Sequence, residues 1–193
     1  MPRFAGNIHK EALRLITLVG DIIKITQMDD KQLPIQREQL DLRALCADVL
    51  EHLQPAADSA GVKIFLEGES QWVSGARQIA DEMIYNLCDN AIKYNRPGGT
   101  VCVRLEPREE EAVALSVEDT GIGIPQEHQG RVFERFYRVD KNRSREIGGT
   151  GLGLSIVKHG ALYHGAALYL DSTPGVGTKI TVVFPRHRPE QTQ

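Results

Sequence analysis

The run Asn86-Leu87-Cys88-Asp89-Asn90-Ala91-Ile92-Lys93-Tyr94-Asn95 closes a longer stretch, Ala76–Asn95, whose apolar residues recur at helical spacing. At about 100° per residue, Glu82, Asn86, Asn90 and Lys93 fall within about 80° of arc on such a helix. Ala80, Met83, Ile84, Leu87, Cys88, Ala91 and Tyr94 form a broad apolar arc beside them. Solvated helix faces favour Lys and Glu over carboxamides, which are mediocre helix formers. Two Asn one turn apart offer neutral oxygens to a hard cation such as Mg²⁺, and Lys93, one turn on, could reach a phosphate on that ion. The same Asn pair would also serve as hydrogen-bonding residues between packed helices; the helix alone leaves both readings open.

Two further stretches carry chemistry. Gly148-Gly149-Thr150-Gly151-Leu152-Gly153-Leu154 opens a helix expected over Ser155–Tyr163. Glycines there let the backbone approach a ligand, and the positive end of the helix dipole suits a polyphosphate; a flexible hinge is the competing reading. The run is not a Walker loop, because Leu154 and Ser155 stand where Lys-Ser or Lys-Thr is needed. Nor is it a dinucleotide fingerprint, because Leu154 falls at the third glycine position. Asp119 precedes Thr120-Gly121-Ile122-Gly123-Ile124-Pro125 at an expected strand end. An ionised carboxylate only accepts, so it could take the exocyclic amine of adenine, or it could simply close an Asx turn before glycine.

These groups need elements to hold them. Phe4–Met28 has helical periodicity and too much apolar surface for one helix to bury alone, so it is expected to pair with another helix. Asp29–Pro34 has turn composition and marks a domain boundary. A strand follows over Gln36–Asp41, then a helix over Leu42–Ala60, capped by Asp41 and stopped by Gly61. Strands are expected over Val62–Glu67, Thr100–Glu106, Ala112–Glu118, Ala166–Asp171 and Thr178–Phe184, with Ser74 capping the asparagine helix. Pro125–Gly149 loses periodicity and reads as a lid. Its Arg131, Arg135, Arg138, Lys141, Arg143 and Arg145 are partly neutralised by Glu134, Asp140 and Glu146, and Phe133 and Phe136 are its expected anchors. The sum is an α/β (α+β) domain of five or six strands and three helices. Its sheet is mixed and mostly antiparallel, with helices on one face as a two-layer sandwich, preceded by one long helix.

Composition narrows the partners. With 23 Lys and Arg against 26 Asp and Glu the net charge is −3, leaving no basic surplus for nucleic acid. Cys46, Cys88 and Cys102 are widely spaced among apolar neighbours and read as buried thiols in a reducing compartment. No apolar run is long enough to span a bilayer and no signal peptide is visible. The chain opens inside a helical pattern, so it is expected to be a fragment of a longer protein.

Taken together and in order, these motifs resemble the ATP-binding catalytic domain of bacterial sensor histidine kinases. That domain belongs to the Bergerat-fold ATPase superfamily, with gyrase, the Hsp90 chaperones and MutL. The resemblance covers roughly residues 36–185. NLCDNAIKYN looks like the asparagine box, DTGIGIP the first glycine box, FERFYR from Phe133 the aromatic lid box, GGTGLGLSIVK (Gly148–Lys158) the second glycine box, and GVGT from Gly175 the small final box. The first helix resembles the second helix of a dimerisation and phosphoacceptor hairpin. The expected division is 1–33 for that helix, 34–187 for the ATP-binding domain and 188–193 for a frayed tail.

The resemblance implies ATP and Mg²⁺ as cofactors. Asn90 would ligate the metal with Asn86 in support, and Lys93 would contact phosphate. Tyr94 would lie near the nucleotide and Asp119 would read the adenine amine. Gly121 and Gly123 would admit base and ribose, while Gly149, Thr150, Gly151, Leu152 and Gly153 would cradle the phosphates. In ATP-hydrolysing members a Glu stands at the place of Asn86 and activates water; Asn cannot, so hydrolysis should be slow. The implied activity is transfer of the γ-phosphoryl to a histidine on a helix absent from this chain, then relay to a response-regulator aspartate. A homodimer through the helical hairpin and a cytoplasmic position in a membrane-anchored sensor are implied too. His9 lacks the His-Glu and Pro context and reads as a surface or packing residue. A regulatory nucleotide-binding module and a Bergerat-fold Ser/Thr kinase are the alternatives.

Overall fold

The computed structural model describes residues 36–109, 111–140 and 149–185, together with residues 12, 15, 16, 18–20, 22, 23 and 26. In chain order the elements are β1 (Glu38–Asp41), α1 (Leu42–Ala60), β2 (Lys63–Glu67), β3 (Trp72–Gly75), α2 (Arg77–Lys93), β4 (Thr100–Arg108) and β5 (Ala112–Asp119). A single turn α3 (Gln126–Gln129), α4 (Gly153–His164), β6 (Ala167–Thr173) and β7 (Gly177–Pro185) complete them.

Five strands make one sheet in the order β2-β4-β5-β7-β6, antiparallel except for the β2–β4 pair. Alternation decides which face is covered. Val101, Val103 and Leu105 of β4, Val113, Leu115 and Val117 of β5, and Ile180, Val182 and Phe184 of β7 point inward and are buried. The other face carries surface ion pairs such as Arg104–Glu67 and Lys179–Glu118. Helices α1, α2 and α4 bury their apolar sides in the same core, so the molecule has the two layers expected of it.

Local signals explain the joints. Asp41 Oδ1 accepts from Arg43 N at 2.9 Å and caps α1, and Gly61 ends that helix in the left-handed conformation at φ 66°. In α2, Ile79, Ala80, Met83, Ile84, Leu87, Cys88, Ala91 and Ile92 are buried, the Ile, Met and Leu side chains each contributing about 1.5–3 kcal/mol over exposure. That burial holds the polar arc of α2 in one orientation.

Several expectations are corrected. There are seven strands among the described residues, because Trp72–Gly75 forms a fourth edge of local pairing, β3 against β1. Ser74 is therefore a strand residue paired with Gln39, and α2 starts at Arg77, with Ala76 at the N-cap and no side-chain cap bond. Strand β4 runs on to Arg108 through Pro107, which lies beyond the β2 pairing that ends at Arg104. Helix α4 begins two residues earlier than expected, at Gly153. Cys46 and Cys88 are buried and burial pushes the Cys46 thiol up to about 12, but Cys102 is only half-buried on the outer sheet face. The described residues of the first helix are helical, with Leu15, Ile16, Val19, Ile22 and Ile23 exposed. His9, the 29–35 boundary, Lys141, Arg143, Arg145, Glu146, Gly148 and the tail lie outside the described residues.

Candidate functional site

A cavity of about 710 Å³ opens between α2, the ends of β5 and β7, the lid and the start of α4. Its size suits one small ligand. Leu87, Ala91, Val117 and Ile180 supply apolar lining, while Asn86, Asn90, Lys93, Tyr94 and Asp119 bring polar groups. Gly123, Gly149, Thr150, Gly151 and Gly153 line it as well. Residues distant in sequence and singled out by type thus share one cavity.

On α2 the two carboxamides differ. Asn86 Nδ2 donates to Glu82 O one turn back at 2.8 Å, which leaves its Oδ1 toward the cavity. The Asn90 side chain makes no hydrogen bond among the described residues. A half-buried, unpartnered carboxamide costs stability unless something else completes it. Lys93 Nζ pairs with Asp89 Oδ2 at 2.6 Å, with side-chain exposures of 39% and 18%. Such a partly exposed i,i+4 pair is worth about 0–1 kcal/mol, so a polyanion can compete for the ammonium.

Across the cavity, the first residue of α4 comes against the same Asn pair. A Cβ at Gly153 would stand 2.8 Å from Asn86 Oδ1 and 3.3 Å from Asn90 Nδ2. Only a residue without a side chain keeps that gap clear. Gly151, at φ 78°, is in the left-handed region, and its carbonyl accepts from Phe136 N at 2.8 Å. No side chain caps the N-terminus of α4, so its dipole end is available to an anion. The Leu152 side chain turns away from the cavity: it is fully buried, packed with Ile156 beneath the loop.

Asp119 ends β5 opposite Thr178 of β7. Its Oδ1 accepts from Gly121 N at 2.8 Å, so the Asx turn exists. The carboxylate also lines the cavity, so the turn fixes its orientation without removing it from the site. Burial pushes its pKa up to about 6, against the lowering effect of the Gly121 and Thr178 backbone bonds. Gly121, beside the lining residues Asp119, Ile122 and Gly123, is not itself among them. A Cβ there would run into the Tyr94 carbonyl and come within 2.8 Å of Asp119 Oδ1, so this glycine lets the turn close on the end of α2.

The described part of the lid is tied down. Gln129 Nε2 donates to Ile124 O and Ser172 O, each at 2.8 Å, and Val132 is buried. His128 Nδ1 and Tyr137 Oη lie 2.6 Å apart, and the Arg131 guanidinium sits 4.4 Å from the Tyr137 ring centre. Arg138 donates to the Gly149 carbonyl, joining lid and glycine loop. Phe136 is not the apolar anchor expected of it: it is 56% exposed with φ 65°, and it holds the loop through its backbone N–H instead.

The structure brings further residues to the cavity, beyond those expected to hold the ligand. Tyr137, Arg138, Val139 and Asp140 reach the cavity from the lid, and Asp48, His52, Asp81 and Tyr85 extend it along α1 and α2. Burial and the nearby Glu82 raise the Asp81 pKa. Helical spacing could have placed Asp81 and Tyr85 beside Glu82, but nothing local connects α1 to this cavity.

A family profile described as "Histidine kinase-, DNA gyrase B-, and HSP90-like ATPase" matches residues 75–188. The chain is 35% identical over 186 residues to the sensor histidine kinase WalK of Bacillus subtilis, covering 95% of this chain and 30% of WalK. It is 35% identical over 190 residues to the sensor-like histidine kinase SenX3 of Mycolicibacterium smegmatis, covering 96% and 48%. Among solved structures, a mycobacterial sensor histidine kinase MprB chain matches at 32% identity and a TM-score of 0.69, covering 79% of this chain and 100% of that one. The chain spans less than half the length of these two curated relatives.

Proposed function

The chain belongs to the histidine kinase-, DNA gyrase B- and HSP90-like ATPases, whose name implies ATP binding, and from that premise we propose that it is the catalytic region of a sensor histidine kinase. The observation that carries this reading is the convergence of Asn86, Asn90, Asp119 and the glycine loop on one cavity.

The residues fit a Mg²⁺ held jointly with phosphates. Among the described residues there is no cluster of three His, Cys, Asp or Glu side chains able to hold a metal alone. Asn86 Oδ1 is oriented by its own helix and Asn90 is unpartnered, so two neutral oxygens are free for a hard ion. Asn90 would hold it with Asn86 in support, and the metal would neutralise charge on the β- and γ-phosphates. Lys93 exchanges Asp89 for phosphate oxygen. Gly149–Gly153 and the α4 N-terminus cradle the chain of phosphates, and Asp119 accepts from the adenine amine. In the transfer, the bond between the γ-phosphorus and the β,γ-bridging oxygen breaks, leaving ADP. A P–N bond forms to a histidine imidazole on a partner helix. Asn86, a carboxamide, cannot activate water as a general base, so hydrolysis is expected to be slow. A response regulator aspartate would receive the phosphoryl next. Dimerisation through a helical hairpin and a membrane-anchored parent are part of the same reading.

The test is to incubate the chain with γ-labelled ATP and a separate helical polypeptide bearing a phosphoacceptor histidine. Label on that polypeptide, lost in acid and retained in base, is expected. An acid-stable label, or none despite ATP binding, overturns the kinase assignment.

Two smaller predictions follow from the geometry. Gly153→Ala places a methyl group against both carboxamides and is expected to weaken Mg-ATP binding about tenfold, with AMP affinity unchanged; competition against a fluorescent adenine nucleotide reads both. The second concerns pH. Asp119 must be ionised to accept from the amine, and its pKa in the free domain is about 6. Proton and nucleotide therefore compete. Affinity for AMP should fall about tenfold between about pH 7.5 and about pH 5, by one-proton linkage. Asp119 also favours the folded state most below its unfolded pKa and loses that contribution as pH rises through about 6, so binding and stability move in opposite directions.

A further inference from the structure

His164 is 2% exposed in the core, and the proposed chemistry leaves it without a role. Its ring spans two helices. Nε2 accepts from Ala76 N at 3.2 Å, and Nδ1 donates to Gly160 O at 2.8 Å. A backbone N–H can only donate and a carbonyl can only accept, so the two contacts define a neutral ring in the Nδ1–H tautomer. Tyr163 and Phe184 pack edge-on against it, with ring centres 5.2 and 5.6 Å away.

The position of this bond matters. Ala76 is the N-cap of α2 and His164 the last residue of α4. From that tie, the two helices run side by side in opposite directions. At Gly160 a Cβ would overlap Met83, so α4 and α2 are in close approach there. Further on, Gly153 faces Asn86 and Asn90 across the cavity. The distance from the tie to the cavity is about 15 Å along each helix, at 1.5 Å per residue. At the tie itself a Cβ on Gly75 would come 2.5 Å from His164 Nε2, so β3 ends in glycine where the ring must reach past it. The same end of α4 is held from the other side by Arg37, whose Nη2 donates to Tyr163 O at 2.7 Å.

We infer that His164 is a positioning residue: by bonding the end of the glycine-loop helix to the start of the asparagine helix, it sets the gap in which the triphosphate and its metal are held. The adenine end of the cavity, built on Asp119 and the β5–β7 pair, does not depend on this tie. The inference rests on the Mg-ATP reading above and adds a residue that touches neither nucleotide nor metal.

The test compares His164→Gln with His164→Asn. Gln can place an oxygen near the Nε2 position and keep the bond from Ala76, whereas Asn is too short to reach it. Mg-ATP affinity is expected to stay near that of the unaltered chain with Gln and to fall about tenfold with Asn. AMP affinity is expected to be unchanged in both. The inference is overturned if Asn binds Mg-ATP like the unaltered chain, if Gln loses as much as Asn, or if AMP affinity falls in step. An unaltered chain that binds no Mg-ATP overturns the functional reading itself, a distinct outcome. Should neither variant fold, the imidazole ¹⁵N spectrum of the unaltered chain decides: a neutral Nδ1–H ring supports the tie, and an Nε2–H or charged ring removes it.

Discussion

Asn90→Ala is expected to weaken Mg-dependent ATP binding about a hundredfold while leaving the far-ultraviolet circular dichroism and thermal unfolding close to those of the unaltered chain. The contrast between ligand and fold is the informative part. Asn90 is half-buried and lines the cavity, and its carboxamide makes no hydrogen bond among the described residues. Removing its carboxamide takes no bond from the folded chain and creates no orphaned partner, so stability should change little or rise slightly. Ala also keeps the helix, since its propensity exceeds that of Asn. Binding loses the oxygen proposed to sit nearest the metal. AMP, which carries no triphosphate to clamp, should bind the variant as it binds the original. Calorimetric titration with ATP and with AMP, each in Mg²⁺ and in chelator, separates these effects. Unchanged Mg-ATP affinity would remove the metal role assigned to this residue.

Asp119→Asn is expected to lower ATP affinity by about a hundredfold or more and to shift the base preference toward guanine nucleotides. In the folded chain Oδ1 is committed to Gly121 N. Asn can keep that bond through its own oxygen, and so it must present its amide nitrogen to the base. Two donors then face each other where the adenine amine arrives. In a half-buried site such a mismatch costs about 1–3 kcal/mol, to which the loss of a charge-assisted bond is added. The guanine carbonyl at the same place would be a good acceptor for that nitrogen. The variant should also lose the pH dependence of AMP binding described above, because the titrating group is gone. Competition between ATP and GTP for a fluorescent nucleotide reads the switch. Equal losses for both nucleotides would mean that Asp119 shapes the turn but does not read the base.

Much of this site was legible before any fold was known, for a physical reason. Asn86, Asn90 and Lys93 follow helical spacing, and a helix converts spacing into a shared face without further information. The glycines from Gly149 to Gly153 announce a backbone that must come close to something, and at Gly153 that something includes Asn86 itself. What spacing cannot carry is contact between distant segments. Strand β3 is only four residues long, ends in glycine and exists because β1 pairs with it. Ser74 looked like a cap because strand pairing was invisible. Phe136 looked like an anchor because aromatic residues are usually buried; its positive φ and its N–H bond to Gly151 belong to the tertiary fold. His164 showed no signal at all, since its partners lie 88 residues away at Ala76 and one turn back at Gly160.

The most direct measurement is a calorimetric titration of the unaltered chain with ATP, once with Mg²⁺ in excess and once in chelator. Saturable one-to-one binding, tighter with the metal by at least about tenfold, is expected, together with AMP binding that ignores the metal. ATP affinity that is the same with and without Mg²⁺, or no binding at millimolar nucleotide, would contradict that expectation.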